Sequence, residues 1–203
     1  MKVLLIDNYD SFIYNLRYEL NAQDIEVKVC RNDIDYSQMR SLVLKHDAII
    51  ISPGPSNPEN AGHCLQLVKD FYDKKPILGI CLGHQVIAQA MDASITHAKK
   101  TIHGKSSLID LLDSALFSGL GNNISVARYH SLIAKNIPKE LTVTATSEVG
   151  EVMAIEHKDY PIFGLQFHPE SIMTLKGSNI FDNFKAVIKN HKTNGEISHV
   201  ANA

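Results

Sequence analysis

The sequence predicts a single α/β domain with a central, mostly parallel mixed sheet flanked by helices. Two patterns carry this expectation. Over roughly the first ninety residues, short continuous apolar runs alternate with segments whose apolar residues recur at helical spacing, the rhythm of a parallel sheet with helical crossovers. After that, strand-like runs follow one another with short connections, which adds antiparallel pairing. A chain of 203 residues, 44% hydrophobic and 21% charged, suits one sizeable core and is too apolar for a disordered polymer. The expected domain covers residues 1–190, and residues 191–203, polar and interrupted by a glycine, read as a loose tail.

Taken in order, residues 3–6 form an apolar run broken by "DNYDS". Ile13, Leu16 and Leu20 follow at helical spacing, with Asp10 or Ser11 placed to cap the helix. Residues 25–30, "IEVKVC", alternate like a strand. "AIIIS" at 48–52 is continuously apolar and stops at Pro53, as a strand buried on both faces does. A helix is predicted over 60–72 and another buried strand over 76–80, "PILGI". In the second half "SSLIDLL", "NISVARY", "LTVTATS", "EVMAIEH" and "PIFGLQF" read as strands, and a last helix is expected over 178–190.

Composition excludes several functions. The formal net charge is −2 and there is no basic block, so nucleic acid is not an expected partner. No apolar run reaches the ~18 residues of a membrane span, and the opening apolar stretch is too short for a signal-peptide core. Three cysteines without a secretory signal suit reduced thiols and a cytoplasmic location better than a disulfide framework.

The chemistry concentrates where a predicted strand turns into a helix. In "GICLGHQ" Cys81 stands between Gly79 and Gly83, the spacing of a nucleophile elbow. A cysteine there meets a helix N-terminus, which favours thiolate, and the next N–H, that of Leu82, is free for an oxyanion. The competing reading is a small inert core cysteine, and what decides is a base elsewhere. Of ten histidines, His84 lies on the elbow's own helix and reads as structural. His168 ends an apolar strand and is followed by Pro169 and Glu170. The proline keeps this segment extended, so the carboxylate can orient the imidazole. A third piece, "ISPGPSNP" at 51–58, ends another buried strand in a stiff loop where Gly54 lets backbone approach a ligand.

Together "GICLGHQ", "SPGPSNP" and "FHPES" resemble the three signatures of the class-I (triad) glutamine amidotransferases, and the resemblance runs to about residue 188. "IDNYDSFIYNL", "HGKSS" and "RYHSL" are similar to the glutaminase subunits of chorismate-using synthases, which make anthranilate or aminodeoxychorismate. The resemblance implies Cys81 as nucleophile toward the glutamine carboxamide, His168 as general acid/base and Glu170 as its orienter. It implies main-chain N–H groups of Gly54 and Leu82 in an oxyanion hole, and Gly54, Pro55, Ser56, Gln85, Ser131 and Leu132 around L-glutamine. Many members read Pro-Gly-Pro-Gly where this chain has Ser56, which would be strained if the position needs φ > 0. No metal-ligand cluster stands out and no cofactor is expected in this chain. The partner implied is a separate chorismate-binding synthase subunit (component I) in a hetero-oligomer, with Mg²⁺ in that partner. The "HGKSS" stretch and the Ser131–Leu132 loop are the expected contact segments.

Other readings compete. A γ-glutamyl peptide hydrolase could use the same elbow and His-Pro-Glu set. A nucleotide- or flavin-binding module lacks its phosphate cradle, since the first turn has neither G-x-G-x-x-G nor a Walker lysine. A catalytically silent assembly subunit has no need of the Cys81, His168 and Glu170 set.

Overall fold

A computed structural model describes residues 1–99, 102 and 104–200, with side chains to residue 193. The elements run β1 (Lys2–Asp7), α1 (Ile13–Ala22), β2 (Glu26–Arg31), α2 (Tyr36–Leu44), β3 (Ala48–Ile51), α3 (Cys64–Phe71), β4 (Ile77–Ile80), α4 (Leu82–Ala90) and β5 (Ser94–His97). They continue with β6 (Lys105–Leu111), β7 (Asn123–Arg128), β8 (Leu132–Lys135), β9 (Leu141–Ser147), β10 (Val152–His157), β11 (Ile162–Leu165) and α5 (Gly177–Val200). Nine strands form one mixed sheet in the order β2-β1-β3-β4-β11-β10-β9-β6-β7, and β5 pairs with β8 in a separate ribbon. From β2 through β11 every pairing is parallel. Beyond β11 the pairings turn antiparallel.

The continuous apolar runs follow from burial on both faces. Val3 and Leu5 of β1 pack with α1 (Ile13, Leu16, Leu20) and α5 (Ile180, Phe181, Phe184). Leu4 and Ile6 of the same strand point the other way, against α2 (Met39, Val43), α3 (Leu67, Phe71) and α4 (Val86, Ile87). Ile50 and Ile51 divide between the two clusters in the same manner. Each such side chain contributes about 1.5–3 kcal/mol when fully buried.

The structure departs from the sequence reading in several places. Neither Asp10 nor Ser11 caps α1. Phe12 holds the N-cap position without a side-chain bond, and the Ile13 N–H donates to the Asp10 carbonyl. The Asp10 carboxyl instead lines a cleft. The helix predicted from residue 60 begins at Cys64, after a single 3-10 turn over Pro58–Asn60 capped by the Asn57 side chain. The strands β5 and β8 and the helix α2 were not anticipated. The last helix does not end near 190 but runs to Val200. Its extension is anchored by an ion pair from Lys192 to Asp47 at 2.8 Å.

Strands β1, β3, β4 and β11 lie side by side and parallel, so the loops leaving their carboxyl ends converge on one edge. Open α/β sheets place their ligands there.

Candidate active site

Only Cys81 separates the end of β4 from the start of α4. It adopts φ 52° and ψ −99°, a conformation that costs a non-glycine residue about 1–3 kcal/mol and persists only under restraint. The restraint is visible. The Cys81 N–H donates to the Leu165 carbonyl at 2.7 Å, and its own carbonyl accepts from the Gln85 N–H at 3.2 Å. The flanking glycines are dictated by packing. A Cβ on Gly79 would lie 2.3 Å from the Gly83 carbonyl oxygen, and one on Gly83 would lie 2.2 Å from that of Ile51. Strand, elbow and helix thus touch backbone to backbone, and that contact holds the thiol at the cleft.

His168 follows β11, the neighbour of β4. Its Nδ1 bonds Glu170 Oε1 at 2.6 Å. Nε2 is buried with no hydrogen bond of regular geometry, although the ring feels the Cys81 sulfur. Burial pulls the His168 pKa down, but interaction with Cys81 and Glu170 outweighs it and holds the value well above the usual 6.5. The segment is clamped. Thr174 Oγ1 donates to the His168 carbonyl at 2.7 Å and accepts the Ala127 N–H at 3.0 Å. The Tyr129 ring meets the imidazole edge-on, centroids 5.1 Å apart. Gly177, where α5 starts, passes so close to the Pro169 carbonyl that no Cβ fits.

The loop after β3 rests on a buried polar knot. Asn8 donates its N–H to Ser52 Oγ and its side-chain amide to the Ser52 carbonyl, both at 2.9 Å, and accepts from Asn32 at 2.9 Å. A Cβ on Gly54 would strike Asn8, and it would come within 3.1 Å of the Leu82 side chain. Gly54 and Leu82 are therefore neighbours, and among the described residues neither amide N–H has a protein acceptor. Ser56 does sit at φ 71°, steadied by a 3.0 Å bond from Asn60 to its hydroxyl.

Cys81, His168, Glu170, Gly54 and Pro55 line one cleft of about 960 Å³, with Asp10 and Tyr129 also on its wall. Gln85, Ser131 and Leu132 do not line it. Gln85 is buried, its Nε2 donating to the Leu132 carbonyl at 3.2 Å and to Gln166 Oε1 at 3.1 Å. Leu132 is on the wall of a separate 440 Å³ cavity, and Ser131 is exposed, its carbonyl accepting from Ala98. Of the "HGKSS" stretch, His103 lies outside the described residues, while Gly104 lies so near the Tyr129 ring that a Cβ added there would stand 3.3 Å from it. His84 is structural, as expected. It is wholly buried against Gly164, and burial pushes its pKa down to about 3. Sequence reasoning missed Asn8, Thr174 and Gln166, which are buried polar residues inside or beside apolar runs. An Asn between a buried strand and a turn was the available signal.

A strained cysteine at a helix start, with a carboxylate-held histidine beside its sulfur, is the arrangement of a thiol-dependent acyl-transfer site. The chain belongs to the class-I glutamine amidotransferases, whose family model matches residues 4–187. It is 47% identical over 185 residues to the aminodeoxychorismate/anthranilate synthase component 2 of Bacillus subtilis, covering 90% of this chain and 94% of that one. It is 45% identical over 188 residues to the bifunctional protein TrpGD of Thermotoga maritima, of which it spans only 32%. A crystal structure from Thermoplasma acidophilum, described as that of a GMP synthase subunit, superposes with a TM-score of 0.86 at 29% identity, covering 97% of this chain and 98% of that one.

Proposed function

We propose that this chain is the glutamine-hydrolysing component of a chorismate-using synthase, serving anthranilate synthesis, aminodeoxychorismate synthesis or both. The observation that carries the chemistry is the Cys81 elbow with the His168–Glu170 pair just beyond the adjacent strand, and the relatives' names carry the pathway. In this reading the Cys81 thiolate attacks the carboxamide carbon of L-glutamine. The oxyanion that forms is met by the N–H groups of Gly54 and Leu82, donors worth about 10²–10³ in rate each. The imidazolium of His168, held by Glu170, gives its Nε2 proton to the departing nitrogen, and ammonia leaves. Water, deprotonated by His168, then cleaves the γ-glutamyl thioester and releases glutamate. Pro55, Ser56, Gln85, Ser131 and Leu132 are assigned to holding glutamine. Gln85 would do so only through its carbonyl oxygen or after a shift.

Ammonia is useful only if captured, so the chain is assigned a component I partner that binds chorismate, with Mg²⁺ belonging to that partner and no cofactor here. Phe12, Tyr18, Ile172 and Leu175 are exposed on the rim of the cleft that opens at Cys81, which supports docking over the site rather than at the Ser131–Leu132 loop. Free buried thiols suit a cytoplasmic location. Among the described residues no helix is long and apolar enough to cross a membrane.

The test is ammonia release from glutamine by the chain alone, with each candidate synthase, and with synthase plus chorismate. Cys81→Ser should abolish glutamine-dependent product while added ammonia still supports it. Retained glutaminase activity in that variant overturns the assignment. An Ile172→Asp chain that still binds component I as tightly as the parent overturns the docking face.

A further inference from the structure

Gln166 takes no part in the chemistry described so far, yet its side chain lies between the nucleophile and the residue assigned to glutamine. It follows β11 by one residue, is fully buried, and its backbone N–H donates to the Met153 carbonyl at 2.9 Å. Its Oε1 accepts from Gln85 Nε2 at 3.1 Å, and its Nε2 lies 3.7 Å from the Cys81 sulfur, a normal reach for N–H···S.

The orientation of this amide is determined by its neighbours. A carbonyl oxygen can only accept, so the Leu132 carbonyl requires Gln85 to present its NH₂ there. The second hydrogen of that NH₂ then points at Gln166, which must answer with its oxygen. Its own NH₂ is thereby turned to the sulfur. The Leu132 carbonyl is pinned in turn. Arg128 cannot accept, so its Nε–H donates to His130 Nε2 at 3.0 Å. His130 must therefore carry its proton on Nδ1, and it donates that proton to the Leu132 carbonyl at 3.0 Å. Burial and the Arg128 charge push the His130 pKa down to about 4, which keeps this tautomer neutral. Arg128 is itself held by a buried ion pair with Glu151.

We propose that Gln166 is a positioning residue that directs an N–H donor at the Cys81 sulfur and, through Gln85, links the state of the nucleophile to the Leu132 segment. A donor on sulfur favours the thiolate and fixes the lone pair that attacks. The inference rests on Cys81 being the reactive thiol, but its deciding readout, alkylation, does not require glutamine.

The experiment is the pH dependence of Cys81 alkylation by iodoacetamide in the wild type, Gln166→Met and Gln166→Glu, alongside ammonia release and thermal melts. Met is close in volume and neutral but has no N–H, so a packing role would leave its profile unchanged, whereas Glu, when ionised, both lacks the donor and sets a repelling charge beside the sulfur. The expected result is a midpoint raised by about one pH unit in Gln166→Met and by more in Gln166→Glu, with kcat falling about tenfold and KM nearly constant. Profiles that overlay the wild type in folded variants overturn the proposal, and do so even if ammonia release confirms Cys81 as nucleophile. Should both variants fail to fold, the side-chain amide resonances of Gln166 in the otherwise native protein decide. They should move on Cys81→Ala, and resonances indifferent to that change refute the contact.

Discussion

Gly83→Ala is the most incisive perturbation of the elbow, because it adds a single methyl group outside the cleft. That carbon would stand 2.2 Å from the Ile51 carbonyl oxygen, where ordinary contact begins at 3.4 Å. The obstacle is backbone in the centre of the sheet, so β3 cannot give way and the first turn of α4 must retreat by about 1.2 Å. Overpacking of this kind costs about 1–3 kcal/mol, which a domain of this size survives. The retreat displaces the Leu82 N–H and the Cys81 sulfur relative to His168. A misplacement of ~1 Å costs on the order of 10²-fold in rate. The assay is glutamine-dependent ammonia release by the full chain, with the melting temperature measured in parallel. Gly119→Ala is the contrasting variant, since a Cβ there meets nothing within 4 Å and its only cost is the φ of +76°, which Gly83 does not share. A folded Gly83→Ala with wild-type kcat would refute the reasoning that backbone contact sets the elbow.

Glu170→Gln should lose less activity than His168→Ala, because an oxygen acceptor for Nδ1 survives; equal losses in two folded variants would give Glu170 a direct chemical role. Native protein exposed to iodoacetamide near neutral pH should be labelled at Cys81 alone, since Cys64 is fully buried with its pKa pushed up to about 12 and Cys30 is also raised by burial; labelling of Cys64 without unfolding would contradict the core packing. His84 charges near pH 3 when folded and near 6.5 when unfolded, so its share of stability is intact above 6.5 and is lost as pH falls toward 3. Relative to the parent, His84→Met should therefore gain about 1.4 kcal/mol per pH unit lowered between pH 6 and 4. Urea titrations whose difference stays flat with pH would show that His84 is not held neutral.

The parallel core was legible because burial on both faces writes itself as uninterrupted apolar runs, as in "AIII" and "ILGI". The elbow and the His-Pro-Glu set were legible because glycine and proline mark strained backbone. Helix α2 was less visible, since only Met39 and Val43 are buried along it. Its one clear signal is Asp35, which accepts the Gln38 N–H as a cap. The ribbon of β5 and β8 has four residues in each strand, and β5 is only half covered, so no alternation develops. The contacts of Gln85 with Leu132 and Gln166 join residues far apart in sequence, and spacing along the chain carries no trace of such a meeting.

Because β11 is the last strand in the chain yet lies between β4 and β10, the two halves of the catalytic machinery have different histories during synthesis. The elbow cysteine emerges early, when the sheet still ends at β4, and its histidine arrives more than eighty residues later. No nascent or truncated chain that stops short of His168 can bring that imidazole to the thiol. Pairing across so long a separation is slow to close, so maturation of the active centre is tied to the final act of folding rather than to its onset. A proteolytic fragment that keeps the elbow cysteine but loses β11 would therefore keep the thiol without the imidazole beside it.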